Sequence, residues 1–190
     1  MSRIEEQRLP DGQSTVLWQG HRPRMASATV ALSQAIYQES RLSLREAEAA
    51  RIRIAHINGC LLCKNFRVAD DLGELMRRVN STDQVANVQD RGEAPSSAYY
   101  EAVAAWRESD LFSERERLAI EYAERISLSP EDLPYDDAFW ARLRQHFDDG
   151  EIVDLTYSIT TWIATGRFVH VLGLDGACPT DVASQAQSAA

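Results

Sequence analysis

Residues 43–67, SLREAEAARIRIAHINGCLLCKNFR, constrain this chain more than any other stretch: they start a helix, stop it, and set two cysteines just past the stop. Ser43 and Glu46 have the spacing of a capping box, in which each side chain satisfies an orphan backbone N–H beside the other. Ala47, Ala50, Ile54 and Ile57 then share one helical face. Asn58-Gly59 is the matching stop, because glycine enters the left-handed C′ conformation without a Cβ clash. Cys60 is expected to open a second helix running to Arg78, with Cys63 one turn in and Phe66, Leu72 and Leu75 or Met76 turned inward. Negative charge is favoured at a helix N-terminus, so a thiol placed there ionises more readily.

The rest of the chain repeats helical spacing. Val30, Leu32, Ile36 and Tyr37 recur along residues 25–39. Pro95 suits the first turn of a helix to about residue 108, with Tyr99, Val103 and Trp106 inward. Ser113 and Glu116 make a second capping box. Asp136 caps a helix that presents Phe139, Trp140, Leu143 and Phe147, and a last long helix over 151–172 carries Ile152, Leu155, Ile159, Trp162, Ile163 and Val169. No segment alternates as a half-buried strand does. The fold class is therefore all-α, a single-domain helical bundle of about six to eight helices. Residues 1–22 read as an irregular lead-in, with Val16, Leu17 and Trp18 packing on their own domain or on a neighbour. Residues 23–174 read as the helical domain, 80–94 as a polar connection within it, and 175–190 as a flexible tail. The shared Ser-x-Arg-Glu at 43–46 and 113–116 has two readings: two related helical halves, or a start signal used twice.

With 190 residues, 44% of them hydrophobic, the chain can bury one substantial core. A net charge of −9 argues against nonspecific binding to nucleic acid or acidic membranes. No apolar run approaches the roughly 20 residues that span a bilayer, and the first 13 residues lack the apolar core of a signal peptide. A cytoplasmic location is the expectation. Three cysteines do not make a secreted disulfide framework, and Cys-x-x-Cys in a reducing compartment points to redox or metal chemistry.

Cys60 and Cys63 lie on one helical face, close enough to bridge. One reading is a dithiol that cycles to a disulfide through a sulfenic acid. A second is two small buried residues. Zinc is a third, although a structural site takes four ligands and no second cysteine or histidine pair lies nearby.

Glu48, Cys60 twelve positions on, and Cys63, within RIRIAHINGCLLC, resemble the motif of the carboxymuconolactone decarboxylase / alkyl hydroperoxidase D-like family. LFSERERLAIEYAERI and FDDGEIVDLTYSITTWIATGRFVHVLGL are similar to the helices that follow it in that family. The resemblance covers about residues 23–174. It implies an oligomeric all-α bundle with a dithiol near a subunit interface, and the paired cysteines favour the peroxidase branch over the ring-decarboxylating one. It further implies that Cys63 attacks a small hydroperoxide, that Cys60 resolves the intermediate, and that Glu48 ends a proton relay. No cofactor or metal is called for. An external dithiol, of lipoyl or thioredoxin-like type, would recharge the pair. The family's relay includes a histidine four positions after the second cysteine, where this sequence has Arg67, which does not give up its proton. His56 lies on nearly the same face as Glu48 and Ile52, and an imidazole there could stand in as base. Its other reading is a cation meeting the C-terminal end of its own helix. The alternatives to a peroxidase are a non-catalytic oligomeric or binding module of the same fold and a lactone decarboxylase. His146 and His170 read as core or interface groups, His21 as part of the lead-in, Arg167 as an intersubunit salt bridge, and Cys178 as an idle thiol.

Overall fold

In the computed structural model, described over residues 2–5, 20–78 and 91–174, the central element is the helix that starts at the first capping box. Helix α1 is Pro23–Glu39, α2 Leu44–Asn58, α3 Leu61–Asn65 and α4 Val68–Arg78. Then come α5, Ser97–Ala102, α6, Glu114–Leu128, α7, Asp137–Arg144, and α8, Asp149–Val171. Two 3₁₀ turns, Val103–Glu108 and Leu133–Tyr135, join them. Among the described residues the chain is all-α, with eight α-helices and no strand. No helix there is long and apolar enough to cross a membrane. The expected tail at 175–190, most of the lead-in with Val16, Leu17 and Trp18, most of the connection at 80–94, and Cys178 lie outside the described residues.

Helix α2 is buried nearly all round, because it packs against α6, α8, α3 and the first 3₁₀ turn. Alanine makes that close approach feasible: Ala49 and Ala50 are sealed and Ala47 and Ala55 nearly so. Ala47, Ala50 and Ile54 face the main core with Leu118, Tyr122, Phe139, Leu143, Leu155 and Ile159. Ala49 and Ile52 face a second core of Tyr99, Tyr100, Val103, Trp106, Phe112 and Ile120. Leu44 meets Val68, Leu72 and Met76 of α4 in a third.

Both capping boxes are closed, and they are cross-linked. Arg45, inside the first, pairs with Glu116 of the second at 2.6 Å. Arg115, inside the second, pairs with Glu46 of the first at 2.5 Å and with Glu151 at 2.9 Å. The repeated Ser-x-Arg-Glu is thus more than a start signal, since each arginine closes on the other helix's cap glutamate.

Two expectations are corrected. Residues 60–78 do not form one helix: Cys60 is the N-cap of the short α3, and the chain breaks at Phe66-Arg67 before α4. The reason is tertiary, because side chains of α2 satisfy the backbone groups that the break leaves open. Residues 95–108 likewise split. Helix α5 begins two residues after Pro95, capped by Ser96, and it gives way to a 3₁₀ turn that kinks at Ala105. Tyr99, Val103 and Trp106 are inward as the spacing implies.

Candidate active site

Gly59 ends α2 at φ 69°, and its N–H bonds back to the His56 carbonyl. That left-handed turn reverses the chain so that Cys60 caps α3, its sulfur accepting the Cys63 N–H at 3.2 Å. The two cysteines are joined as a disulfide with their Cα atoms 5.3 Å apart, inside the range a bridge requires. Cys60 is sealed from solvent, while Cys63 is partly exposed.

Helix α8 forms the opposite wall. A Cβ added at Gly166 would lie 3.6 Å from the Cys63 sulfur and 2.6 Å from the Asn58 amide nitrogen, so only glycine leaves room there. Asn58 is buried; its amide donates toward the Trp162 and Ile163 carbonyls, and its oxygen accepts Arg167 Nε at 3.0 Å. Arg167 also donates to Ser127 O at the end of α6. One turn beyond Gly166, the His170 ring packs on Gly59, 3.3 Å from where a Cβ would stand.

Beneath α3 lies a buried ion pair. Glu48 and Arg51, one turn apart on α2, are bonded through Arg51 Nε and again through Nη2 at 3.0 Å. Arg51 also donates to Cys63 O at 2.8 Å and to Phe66 O at 2.6 Å. Glu48 accepts from Val68 N at 3.3 Å and from the Tyr100 hydroxyl at 2.6 Å. Burial, reinforced by Glu48, pushes the Tyr100 hydroxyl far above its usual range, so it remains a donor. The Arg67 guanidinium stacks 3.9 Å over the Tyr100 ring and bonds the Lys64 and Phe66 carbonyls, closing α3 at its C-terminal end.

Of the residues singled out in the sequence, Cys60 and Cys63 are brought together. Glu48 is beside them, reached through Arg51. His56 lies two turns from Glu48 along α2, about 12 Å of helix rise, and no hydrogen bond described for Glu48 runs to it. Burial lowers the His56 pKa, with Lys64 and Arg53 adding to it, so its imidazole is neutral at pH 7. Gly166 reads from the sequence as a bend or a close-packing point in the last helix, and the close packing is what the structure has. Sequence reasoning missed Arg51, Tyr100 and Asn58's second role. Only Arg51 left a local trace, as the charge three positions after Glu48. Among the described residues no three His, Cys, Asp or Glu side chains gather as metal ligands.

The architecture has a solved counterpart. The crystal structure of ATU0492 from Agrobacterium tumefaciens, a protein of unknown function suggested to be the antioxidant defence protein AhpD, superposes with a TM-score of 0.61. The match covers 84% of this chain and 95% of that one at 23% identity. This chain has the AhpD-like fold. In this chain the turn between α2 and α3 holds the Cys60–Cys63 disulfide. No family model matches the chain. An uncharacterized protein of Escherichia coli, YnjA, is 48% identical over 67 residues, 35% of this chain and only 36% of that protein's length. YdfG of Bacillus subtilis, also uncharacterized, is 27% identical over 136 residues, 72% of this chain and 79% of YdfG.

Proposed function

We propose that this protein is a thiol peroxidase of AhpD-like fold that reduces small hydroperoxides through Cys63 and Cys60. The observation that carries the reading is the asymmetry of the bridged pair, one sulfur sealed and the other partly exposed, at a turn set by Gly59. In the reduced protein the Cys63 thiolate attacks the outer oxygen of ROOH. The O–O bond breaks, ROH leaves after taking a proton, and Cys63 becomes a sulfenic acid. Cys60 then attacks that sulfur, water leaves, and the disulfide forms. An external dithiol of lipoyl or thioredoxin-like type returns two electrons and two protons, becoming a disulfide itself. The thiols supply the electrons, so no metal or organic cofactor is required.

His56 is the imidazole we assign to the proton steps, because it is neutral at working pH and lies one turn before the Gly59 turn. We also propose that the chain works in the cytoplasm and assembles with copies of itself. Val153, Tyr157, Phe168 and Val171 form an exposed apolar stripe along α8, the kind of surface a subunit interface covers.

The test is peroxide consumption with dithiothreitol as donor, comparing the native chain with Cys63→Ser, Cys60→Ser and His56→Ala. Cys63→Ser should abolish turnover, and His56→Ala should reduce it at least about tenfold, within the range of general acid–base effects. Turnover that survives Cys63→Ser sinks the proposal. A second reading, a non-catalytic module of this fold, is favoured by Arg67 stacking on Tyr100 at the relay position. A native chain that is reversibly oxidised and reduced, yet never turns peroxide over, would select it.

A further inference from the structure

The break between α3 and α4 leaves backbone groups that a continuous helix would have paired. The carbonyls of Cys63 and Phe66 point out of the end of α3, and the Val68 N–H opens α4. A helix of five residues does not hold itself together in water, and none of the residues of α3 is buried. Core packing therefore does not fix it. What meets the open groups is the Glu48–Arg51 pair, matched by polarity: the guanidinium takes both carbonyls, sharing that of Phe66 with Arg67 Nη1 at 3.0 Å, and the carboxylate takes the N–H. Both side chains are sealed, 5% and 1% exposed, so water does not compete for these charge-assisted bonds.

Glu48 is fully engaged in this arrangement. Arg51, Tyr100 and the Val68 N–H all donate to its two oxygens. Arg51 keeps its charge at any working pH. The pair is built to hold backbone, and the backbone it holds carries Cys63.

We propose that Glu48 and Arg51 are positioning residues that keep Cys63 within bonding distance of Cys60, and so bias the couple toward the disulfide. This rests on reading the two cysteines as a redox couple. With the Cys63 carbonyl tied to α2 and Cys60 fixed at the Gly59 turn, the Cα atoms stay 5.3 Å apart. A thiol released on reduction then remains beside its partner, and proximity of this kind is a high effective concentration. The equilibrium that reads it is exchange with glutathione: two protein thiols and one glutathione disulfide give the protein disulfide and two glutathione thiols.

The experiment equilibrates the full chain in glutathione buffers, traps free thiols by alkylation and obtains the oxidation constant by mass. Glu48→Leu/Arg51→Met removes both charges together and should lower that constant at least about tenfold, equivalent to about 30 mV. Arg51→Lys keeps a charge opposite Glu48 but lacks the fork that spans two carbonyls, and should fall between. Arg142→Ala breaks a remote pair with Glu121 and should match the native value. A folded double variant within twofold of native overturns the proposal. If the double variant does not fold, a native constant in Arg51→Lys overturns it instead. No peroxide enters this measurement, so a chain without peroxidase turnover can still show the drop, and an active peroxidase can still fail to show it.

Discussion

Helices α2 and α6 begin alike and end differently. Both open with a closed Ser-x-Arg-Glu capping box, and each arginine binds the other's glutamate. Five residues after the cap they diverge: α2 buries Glu48 where α6 buries Leu118, at 1% and 0% exposure. Beyond that, α2 turns through left-handed Gly59 into the cysteine pair, whereas α6 ends at Ser129 with a negative φ of −149° and no left-handed turn. The apolar choice in α6 is the ordinary one for a core. The charged choice in α2 is explained by the broken backbone above it, whose open groups need a carboxylate and a guanidinium. One helix of the pair ends in an ordinary cap, and the other also holds the turn that carries the two cysteines.

The largest effect should come from giving α2 the residue of α6. Glu48→Leu leaves Arg51 buried without its counter-charge, which costs about 3–5 kcal/mol, readable as a lower urea midpoint. Adding Arg51→Met should recover part of that loss, because an apolar pair of similar volume replaces the ions. A double variant no more stable than the single one would show that the charges are not what distinguishes the two helices.

Next comes the approach of α8 to the end of α2. Gly166→Ala places a methyl group against the Asn58 amide, and overpacking of this kind costs about 1–3 kcal/mol. Gly73→Ala in α4 meets nothing within 4 Å and should instead stabilise by about 0.5–1 kcal/mol, the ordinary helix preference for alanine. Melting temperatures that move in the same direction for both would remove the special role of Gly166.

A smaller and symmetric effect belongs to the caps. Ser43→Ala and Ser113→Ala should each cost about 1 kcal/mol. Because Arg45 binds the second box's glutamate, Arg45→Ala and Ser113→Ala should couple by about 0.5 kcal/mol or more in a double-mutant cycle. Strict additivity would mean that the two helix starts are independent.

The smallest difference is in acid response. In the α6–α8 half, Asp136 is held below its usual pKa by the Phe139 N–H and Arg125, and Asp148 by the Glu151 N–H and Arg41. Burial pushes Glu124 and Glu151 up, yet Arg107 with Trp106, and Arg115 with the Asp148 N–H, outweigh it and hold both low. A depressed folded pKa contributes stability that is complete above the unfolded values of 3.8 and 4.5 and is lost as pH falls through the folded ones. Thermal stability should therefore decline below about pH 4.5, and Arg125→Ala should flatten the Asp136 share of that decline. A melting temperature constant from pH 7 to pH 3 would contradict this.

What could be read from the sequence was what depends on near neighbours. Both capping boxes, the Gly59 stop, the Asp136 cap and the cysteine pair rest on spacings of four residues or fewer. The all-α class followed from helical periodicity in every apolar segment. The break at Phe66-Arg67 was not readable, because a local pattern cannot report that Arg51, twelve positions before Cys63, reaches the carbonyls that the break exposes. Tyr100 was hidden for the same reason, since it joins the site from an element 52 residues beyond Glu48. The close packing readable at Gly166 did not reveal that its neighbours are Asn58 and Cys63, the latter 103 residues before it. Arg67 could be seen as a departure from the family pattern, but its stacking on Tyr100 could not.

The unequal exposure of the two sulfurs fixes the direction of traffic at the bridge. If the pair works as proposed, an incoming donor thiol reaches Cys63 and not the sealed Cys60, so the covalent adduct forms on Cys63 and Cys60 is the leaving group. By the same reading, a Cys60→Ser chain whose Cys63 has been oxidised to a sulfenic acid would capture a donor left with one of its two thiols, with water leaving. Neither partner then holds a second thiol to undo the link, so the captured donor could be weighed and named.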